Sequence, residues 1–300
     1  MTETAALGGY RWEPGSLRRG TPSKHGVLEL VFARSGSQSV LAHLHRRAPL
    51  LVQQALYWDE HLPAMPCVFM ITTSGCVLQG DRLDVRLSVR RDAMAHVTTQ
   101  AATKVHEMDA GVAEQSMELD LEEGAYLELL PGPVIPHRHS KFITSTTAAV
   151  APTATLLIAE LVAPGRKYHG GGELFEYDLY SSALTIARPD GTALSTEKFV
   201  SEPWRHPVRE AGVMGEFDML GSVTLAAPRR LVESVLERVD STIDTAAGCM
   251  AGASLLPNDA GLVYKVLGKE TEPVQAKVRE FWRLVRHEAL GVSIPDRRLA

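Results

Sequence analysis

The chain has 300 residues, a formal net charge of −5, 45% hydrophobic residues and 22% charged residues. This composition is typical of a folded globular protein and excludes extensive intrinsic disorder. The small acidic excess gives no electrostatic basis for nucleic-acid binding, because phosphate-binding proteins usually have a basic excess or a basic face.

The chain is predicted to begin with a mobile N-terminus at residues 1–25, followed by a β-rich body at 26–227. Residues 1–10 lack the basic start and the apolar run of a signal peptide. No apolar stretch approaches the roughly 20 residues needed to span a bilayer. We therefore expect a cytoplasmic protein that does not enter a membrane.

Apolar and polar residues alternate through much of the body, for example at 84–90, 117–122 and 175–179. This period of two indicates strands with one face toward a core and one toward water. Turn signals at 122–125 and at 188–191 are typical of hairpins. Closely spaced strands with few helical stretches predict a mainly β fold, a large antiparallel layered body of the sandwich or meander type.

The apolar period changes after Pro228 to that of a helix. Apolar residues between 231 and 243 predict one helix, and those between about 273 and 290 predict a second. Thr271 is a candidate cap for the second helix, and Gly291 is a plausible stop.

The rest of the C-terminal part is expected to be irregular or helical. Residues 248–252 resemble a small-residue linker, 261–267 a short helix, and 294–300 a loose charged tail. Residues 228–300 are thus predicted to be a helical section that packs on the β body as part of one structural unit.

Three cysteines, Cys67, Cys76 and Cys249, are widely spaced and form no CxxC pair. An odd number at such distances predicts neither a zinc ribbon nor a disulfide framework. We expect reduced thiols that are buried as small hydrophobic groups.

The most distinctive run of the chain is Thr-Thr-Gln-Ala-Ala-Thr-Lys at 98–104. A strand end of this kind uses its hydroxyls to satisfy backbone groups, so Thr98, Thr99, Gln100 and Lys104 are predicted to be structural. Adjacent hydroxyls and a lysine could also suggest a nucleophile with its base, but no glycine elbow, phosphate loop or nearby His–Asp arrangement supports catalysis. No catalytic residue is predicted.

Several short motifs occur in the same order as in one known family. They are Arg-Ala-Pro-Leu at 47–50, Gly-Asp-Arg-Leu at 80–83, the run at 98–104, Leu-Glu-Leu-Leu-Pro at 127–131 and the glycine-rich segment at 165–175. On these motifs the chain resembles the UreD (UreH) family of urease accessory proteins, over nearly its whole length.

The resemblance implies a maturation protein that is not an enzyme. It implies binding to the accessory protein UreF, through UreF to the GTPase UreG, and docking on the urease apoprotein. Nickel would pass toward urease while UreG hydrolyses GTP, with no tightly bound cofactor and only transient nickel binding. The glycine-rich loop at 163–172 lacks the GxxxxGK[ST] pattern, so the chain itself is not expected to hydrolyse GTP.

Nickel in transit needs weak, exchangeable oxygen or imidazole ligands, and the resemblance implies a polar internal passage lined by them. The candidate residues for this path are Asp81, Glu128, His137, His139, Glu173 and Glu176. Each acid has a plainer interpretation as the ion-pair partner of an arginine, and each histidine as a solvated or hydrogen-bonded side chain. The same choice applies to the second HxH pair, His43 and His45, and no firm metal site is predicted.

Two other functions stay open at this point. One is a β-rich protein-interaction domain unrelated to metals, and the other is a β-rich hydrolase that uses Asp81 or Glu128 with a histidine. The apolar stripe with Phe281 and Trp282 either packs on the β body or forms a binding surface for UreF.

Overall fold

A computed structural model describes residues 7–10, 23–244 and 248–295. Within these ranges the chain forms two α-helices, α1 (Arg229–Arg238) and α2 (Thr271–Leu290), and two short 3-10 turns at Gly8–Tyr10 and Pro257–Asp259. The strands in chain order are β1 (His25–Ser35), β2 (Gln38–Arg47), β3 (Leu50–Leu51), β4 (Cys67–Thr72), β5 (Arg82–Val89), β6 (Met94–Thr99), β7 (Thr103–Val105), β8 (Ala113–Leu121), β9 (Tyr126–Leu129), β10 (Val134–Pro136), β11 (Lys141–Val150), β12 (Thr155–Val162), β13 (Leu179–Ala187), β14 (Ala193–Ser201), β15 (Met219–Ala226), β16 (Thr242–Asp244), β17 (Cys249–Leu255) and β18 (Leu262–Gly268). Neither helix of the described ranges is long and apolar enough to cross a membrane.

The strands form two large sheets. The first has the order β14-β13-β11-β8-β5-β1-β2, and the second has the order β16-β17-β18-β15-β12-β9-β6-β4-β3, with β10 and β7 beside β12. Leu30 and Leu87 of the first sheet share one hydrophobic core with Val97 and Leu127 of the second. The predicted mainly β fold with a helical C-terminal section is confirmed.

The predicted antiparallel pairing is wrong for much of both sheets. Strands β1, β5, β8, β11 and β13 pair in parallel, and so do β4, β6, β9 and β12. The reason is the path of the chain, because between β5 and β13 the main strands alternate between the two sheets. The turn at 122–125 therefore joins β8 of one sheet to β9 of the other and is not a hairpin. The turn at 188–191 does join an antiparallel pair, β13 and β14, as predicted.

Side chains of the second sheet alternate between two environments. On β12, Leu156 and Ile158 face the first sheet, whereas Leu157, Ala159 and Leu161 belong to a second core. This second core lies beneath α2, which packs on β15, β17 and β18. The second sheet is thus covered on both faces.

Residues 229–290 supply both helices and three strands of the second sheet. The expected linker at 248–252 and short helix at 261–267 are wrong, because these residues lie in β17 and β18, which pair with each other. Both predicted helices are present, and Gly291 ends α2 with a φ of 69°. Glu270 takes the cap position before Thr271, the first residue of α2. The apolar stripe of α2 packs on the sheet, since Phe281 and Trp282 are buried.

The chain ends are described only in part. Leu7 is buried beside Ile143 and Leu179, and Ile294 is buried in the core under α2. The prediction of a loose tail is therefore wrong at Ile294. The mobile N-terminus and the rest of the loose tail were predicted mainly for residues 1–6, 11–22 and 296–300. These residues lie outside the described ranges.

Candidate functional site

A cavity of about 330 Å³ lies between the two sheets. Its polar lining comes from both sheets. One side has Gln115, Thr144, Thr146, Tyr180, Ser182 and Glu197, and the other has Thr72, Thr99, Gln100, Thr103, Lys104, Glu160, Ser222 and Thr224. Apolar groups such as Met70, Leu129 and Phe142 complete the walls. Hydroxyl, amide and carboxyl oxygens are weak, exchangeable ligands for divalent cations.

Glu160 is the acid most enclosed by this cavity. The Tyr180 hydroxyl donates a hydrogen bond to its Oε1 at 2.7 Å. Burial raises the pKa of Glu160, although hydrogen bonds from Ser182 and Tyr180 act in the opposite direction. This carboxyl therefore keeps its proton to a higher pH than an exposed glutamate does. The second acid, Glu197, forms an ion pair with Lys265.

Glu128 lies on the other face of the same sheet and is fully buried beneath α2. Arg286 donates to it from Nε at 2.8 Å and from Nη2 at 2.6 Å. The Tyr126 hydroxyl donates to Oε1 at 2.8 Å, and His96 Nδ1 lies 2.7 Å from Oε2. Arg286 also binds Asp59. Burial opposes ionisation, but the hydrogen bonds from His96 and Arg286 outweigh it and lower the pKa of Glu128 to about 2.

Glu173 is held in a similar way at the glycine-rich loop. Arg166 Nε donates to its Oε2 at 2.8 Å and Arg138 Nε to its Oε1 at 3.0 Å. The hydrogen bonds from Arg166 are the largest cause that lowers the pKa of Glu173 to about 2. Glu176 is exposed, and its nearest carboxylate oxygen is 3.9 Å from Arg138 Nε. Glu173 is thus an ion-pair partner of two arginines.

Asp81 shapes a turn. Its carboxylate accepts hydrogen bonds from the backbone N–H groups of Lys24 and Leu78, each at 2.9 Å, and its side chain is buried. A buried carboxylate that accepts two backbone donors fixes the local chain path.

The threonine run at 98–104 holds the segment that follows β9. Thr98 Oγ1 donates to the Leu130 carbonyl at 2.6 Å, and Thr99 Oγ1 donates to the Ala101 carbonyl at 2.9 Å. Thr99 Oγ1 also accepts the Gly132 N–H at 2.9 Å. These bonds are the backbone contacts predicted for the run. The Gln100 backbone N–H donates to the Met70 carbonyl, and Lys104 is exposed.

The two histidines of the 137–139 motif face different surroundings. His137 is buried, and burial together with the nearby Arg166 charge lowers its pKa. His139 has a φ of 53° and is exposed, with Nδ1 3.2 Å from Asp178 Oδ1. The pair therefore does not converge on one ligand.

His43 and His45 lie on one exposed face of β2, opposite Val31 and Glu29 of β1. Among residues 7–10, 23–244 and 248–295, no three His, Cys, Asp or Glu side chains are placed to hold a metal ion.

None of the six candidate path residues lines the inter-sheet cavity. Sequence reasoning missed Glu160, which stands alone among apolar residues in Thr-Leu-Leu-Ile-Ala-Glu-Leu-Val at 155–162. A single acid in such a strand is the signal that could have identified it, because buried carboxyls need a specific partner or role.

Comparison with known proteins gives a consistent result. The model of the UreD urease accessory protein family matches residues 24–300. The urease accessory protein UreD 2 of Brucella suis biovar 1 is 48% identical over 290 residues, which cover 97% of this chain and 96% of that protein. Urease accessory protein UreD of Photorhabdus laumondii is 48% identical over 97% of this chain and 90% of that protein. That of Yersinia pseudotuberculosis serotype O:1b is 47% identical over 98% and 91%, respectively.

Proposed function

The chain belongs to the UreD family of urease accessory proteins, which are non-catalytic chaperones of nickel-centre assembly, and we propose that it scaffolds nickel delivery to urease. In this proposal it binds UreF, through UreF the GTPase UreG, and docks on the urease apoprotein. UreG supplies GTP hydrolysis, nickel is bound only in passing, and no cofactor is held tightly. The complex works in the cytoplasm, where Cys67, Cys76 and Cys249, which form no disulfide, stay reduced. Family membership speaks against a hydrolase and against an interaction domain unrelated to metals.

The observation that supports a nickel route through the chain is the polar cavity between the sheets. Glu160 and Glu197 line it together with threonine and serine residues, and the exposed Lys104 lines it as well. Such oxygen ligands bind a borderline cation weakly, whereas a closed set of nitrogen or sulfur ligands would retain it. Weak oxygen ligands therefore suit a nickel ion that must be released again.

The six residues singled out from the sequence divide into two groups in this proposal. Three of them are buried and accept hydrogen bonds from neighbouring groups, namely Asp81, Glu128 and Glu173. Their role in this proposal is to stabilise the fold. His139 and Glu176 are exposed, and the His139 N–H donates to the Glu176 carbonyl at 2.9 Å. In this proposal, His139 and Glu176 belong to a surface where a partner that exchanges nickel makes contact, and buried His137 does not.

Activation of urease by co-expressed accessory proteins tests the function. Deletion of this chain should leave urease assembled but without nickel or activity. Full nickel loading at low nickel concentration without this chain would reject the scaffold role.

Glu160→Gln tests the route itself. The amide has nearly the same shape and keeps a carbonyl to accept the hydrogen bond of Tyr180, but it cannot become a carboxylate ligand. We expect an intact complex with UreF and less nickel in the recovered urease. Glu233→Gln, on the exposed face of α1, is the matched control and should load normally. Normal nickel content with Glu160→Gln would exclude Glu160 from the route.

A further inference from the structure

A second cavity, of about 210 Å³, lies on the α2 side of the second sheet, beneath the N-terminal half of α2. Its walls are mostly apolar and include Leu130, Leu161 and Val278. Glu272 and Ala276 of α2 border the cavity and are exposed, so the cavity opens at the protein surface. A molecule in solution can therefore enter it.

Two buried aromatic rings line this cavity and carry ring nitrogens that lack hydrogen-bond partners. His96 is 2% exposed and Trp282 is 5% exposed, and the two rings stack with their centroids 5.2 Å apart. Neither His96 Nε2 nor Trp282 Nε1 has a hydrogen-bond partner among the described residues. The large majority of buried polar side-chain atoms in native proteins are paired, so these two nitrogens indicate an occupant that pairs with them.

The two nitrogens need opposite partners. Trp282 Nε1 carries a hydrogen and can only donate. His96 Nδ1 lies 2.7 Å from Oε2 of the Glu128 carboxylate, which can only accept, so Nδ1 carries the proton of the neutral imidazole. His96 Nε2 is then an acceptor. A hydroxyl group satisfies both nitrogens, because it donates to one of them and accepts from the other.

The volume and the walls of the cavity define the rest of the ligand. An apolar cavity of about 150 Å³ can hold one benzene molecule, so this cavity has room for a single ring with a small substituent. Water alone is a poor occupant, since roughly seven molecules would fill the volume between mostly apolar walls. The stacked rings of His96 and Trp282 also favour an aromatic neighbour. The cavity therefore suits an aromatic ring that carries one hydroxyl group.

We propose that this cavity binds a phenol, with its hydroxyl group between His96 Nε2 and Trp282 Nε1 and its ring against the apolar walls. A free small molecule and a tyrosine side chain of a partner protein both present this group, so the chemistry is shared by two sources. The site is independent of the proposed role in nickel delivery.

Binding of phenol and of toluene to the full-length chain tests the site. The two molecules have nearly the same shape, but toluene leaves both ring nitrogens unpaired. In NMR titrations we expect phenol to bind at least about tenfold more tightly than toluene. Phenol should shift the indole N–H signal of Trp282 but not that of exposed Trp204. Equal affinity for phenol and toluene, or no binding of phenol at millimolar concentration, overturns the proposal.

Two substitutions in α2 test whether the phenol occupies this cavity. Trp282→Phe removes the Nε1 donor but keeps an aromatic ring, so the preference for phenol over toluene should fall. Ala276→Trp places an indole at the mouth of the cavity from an exposed position, and should abolish binding of both molecules. Arg283→Trp puts the same group on an exposed position that does not line the cavity, and should bind both as the wild type does.

The outcome with Ala276→Trp decides the location even where Trp282→Phe fails to fold. Phenol binding by Ala276→Trp as tight as by Arg283→Trp would place the phenol elsewhere and overturn the proposal. Addition of UreF to the phenol-bound wild type then distinguishes the two sources. Displacement of phenol identifies a side chain of the partner as the occupant, whereas phenol that stays bound in the complex identifies a free small molecule.

Discussion

Replacing Arg286 by methionine removes the cation shared by two buried carboxylates. Arg286 is 1% exposed, its Nε and Nη2 bind Glu128, and its Nη1 binds Asp59. Methionine fills a similar volume but donates no hydrogen bond. Removing one partner of a buried ion pair typically costs about 3–5 kcal/mol, because the remaining charge has lost its compensation.

The pKa of Glu128 shows that its charged form is stabilised in the folded protein. Burial alone would raise the pKa, yet the bonds from His96 and Arg286 lower it from 4.5 to about 2. At about 1.4 kcal/mol for each pH unit, ionised Glu128 contributes about 3 kcal/mol of stability after the cost of its burial. Arg286→Met removes one of the two groups that provide this stabilisation and leaves the cost of burial in place.

The sign of the pH dependence follows from the direction of the shift. The folded pKa lies below the unfolded value, so this stabilisation is complete above about pH 4.5 and is lost as the pH falls toward 2. The difference in unfolding free energy between the wild type and Arg286→Met should therefore be largest at neutral pH and should shrink below pH 4.5.

Urea unfolding of the full chain at pH 7 and at pH 3.5 measures this difference. Tryptophan fluorescence is a suitable signal, since Trp282, one of four tryptophans, has its ring centroid 5.0 Å from the Arg286 guanidinium carbon. Arg283→Met, on the exposed side of the same helix, controls for the loss of an arginine. The reasoning is refuted if Arg286→Met unfolds at the same urea concentration as Arg283→Met, or if the difference does not depend on pH.

Two further substitutions and one labelling experiment test other parts of the fold. Glu173→Gln removes a carboxylate that accepts hydrogen bonds from two arginines. It should lower the unfolding free energy by about 1–3 kcal/mol at pH 7 in the same urea assay. An unchanged unfolding free energy would mean that other contacts hold the loop. Gly261 has a φ of 139°, and Gly261→Ala would place a Cβ against the carbonyl oxygen of Leu225. We therefore expect a clear fall in melting temperature. An unchanged melting temperature would contradict this backbone path. Burial raises the pKa of Cys67 to about 12. Iodoacetamide at pH 8 should therefore label the half-buried Cys76 in the native chain but not Cys67. Equal labelling of the two cysteines, measured by mass spectrometry, would contradict this prediction.

Local signals in the sequence predicted the elements that depend on local chemistry. Helix α2 follows from apolar residues at helical spacing and ends at Gly291, and the turn at 188–191 forms its hairpin. The turn at 122–125 has a similar composition, but its two strands enter different sheets. Partner choice between strands depends on contacts far apart in sequence, which a turn signal does not contain.

Strands β17 and β18 illustrate the same limit. The segment Cys-Met-Ala-Gly-Ala-Ser-Leu at 249–255 contains small residues with little strand preference, and it forms a strand because β18 pairs along its whole length. Strand β18 is buried along most of its length, so its apolar residues do not alternate and resemble a short helix. The pairing of Glu128 with Arg286, 158 residues later in the chain, left no local signal either.

Two acids on neighbouring strands of the second sheet show why the sequence motifs identify the family but do not separate structural carboxylates from those that line a cavity. Glu128 on β9 and Glu160 on β12 each stand among apolar residues, so the sequence gives no reason to separate them. Because side chains alternate between the two faces of the sheet, Glu128 faces α2, where hydrogen bonds from His96 and Arg286 favour its charged form. Glu160 faces the inter-sheet cavity, where burial favours its protonated form. A charged carboxylate whose oxygens are occupied stabilises the fold but has no site left for a cargo. Glu160 lines the cavity and accepts hydrogen bonds from Tyr180 and Ser182, so in the proposed route it is the carboxyl that can exchange its proton for a metal ion.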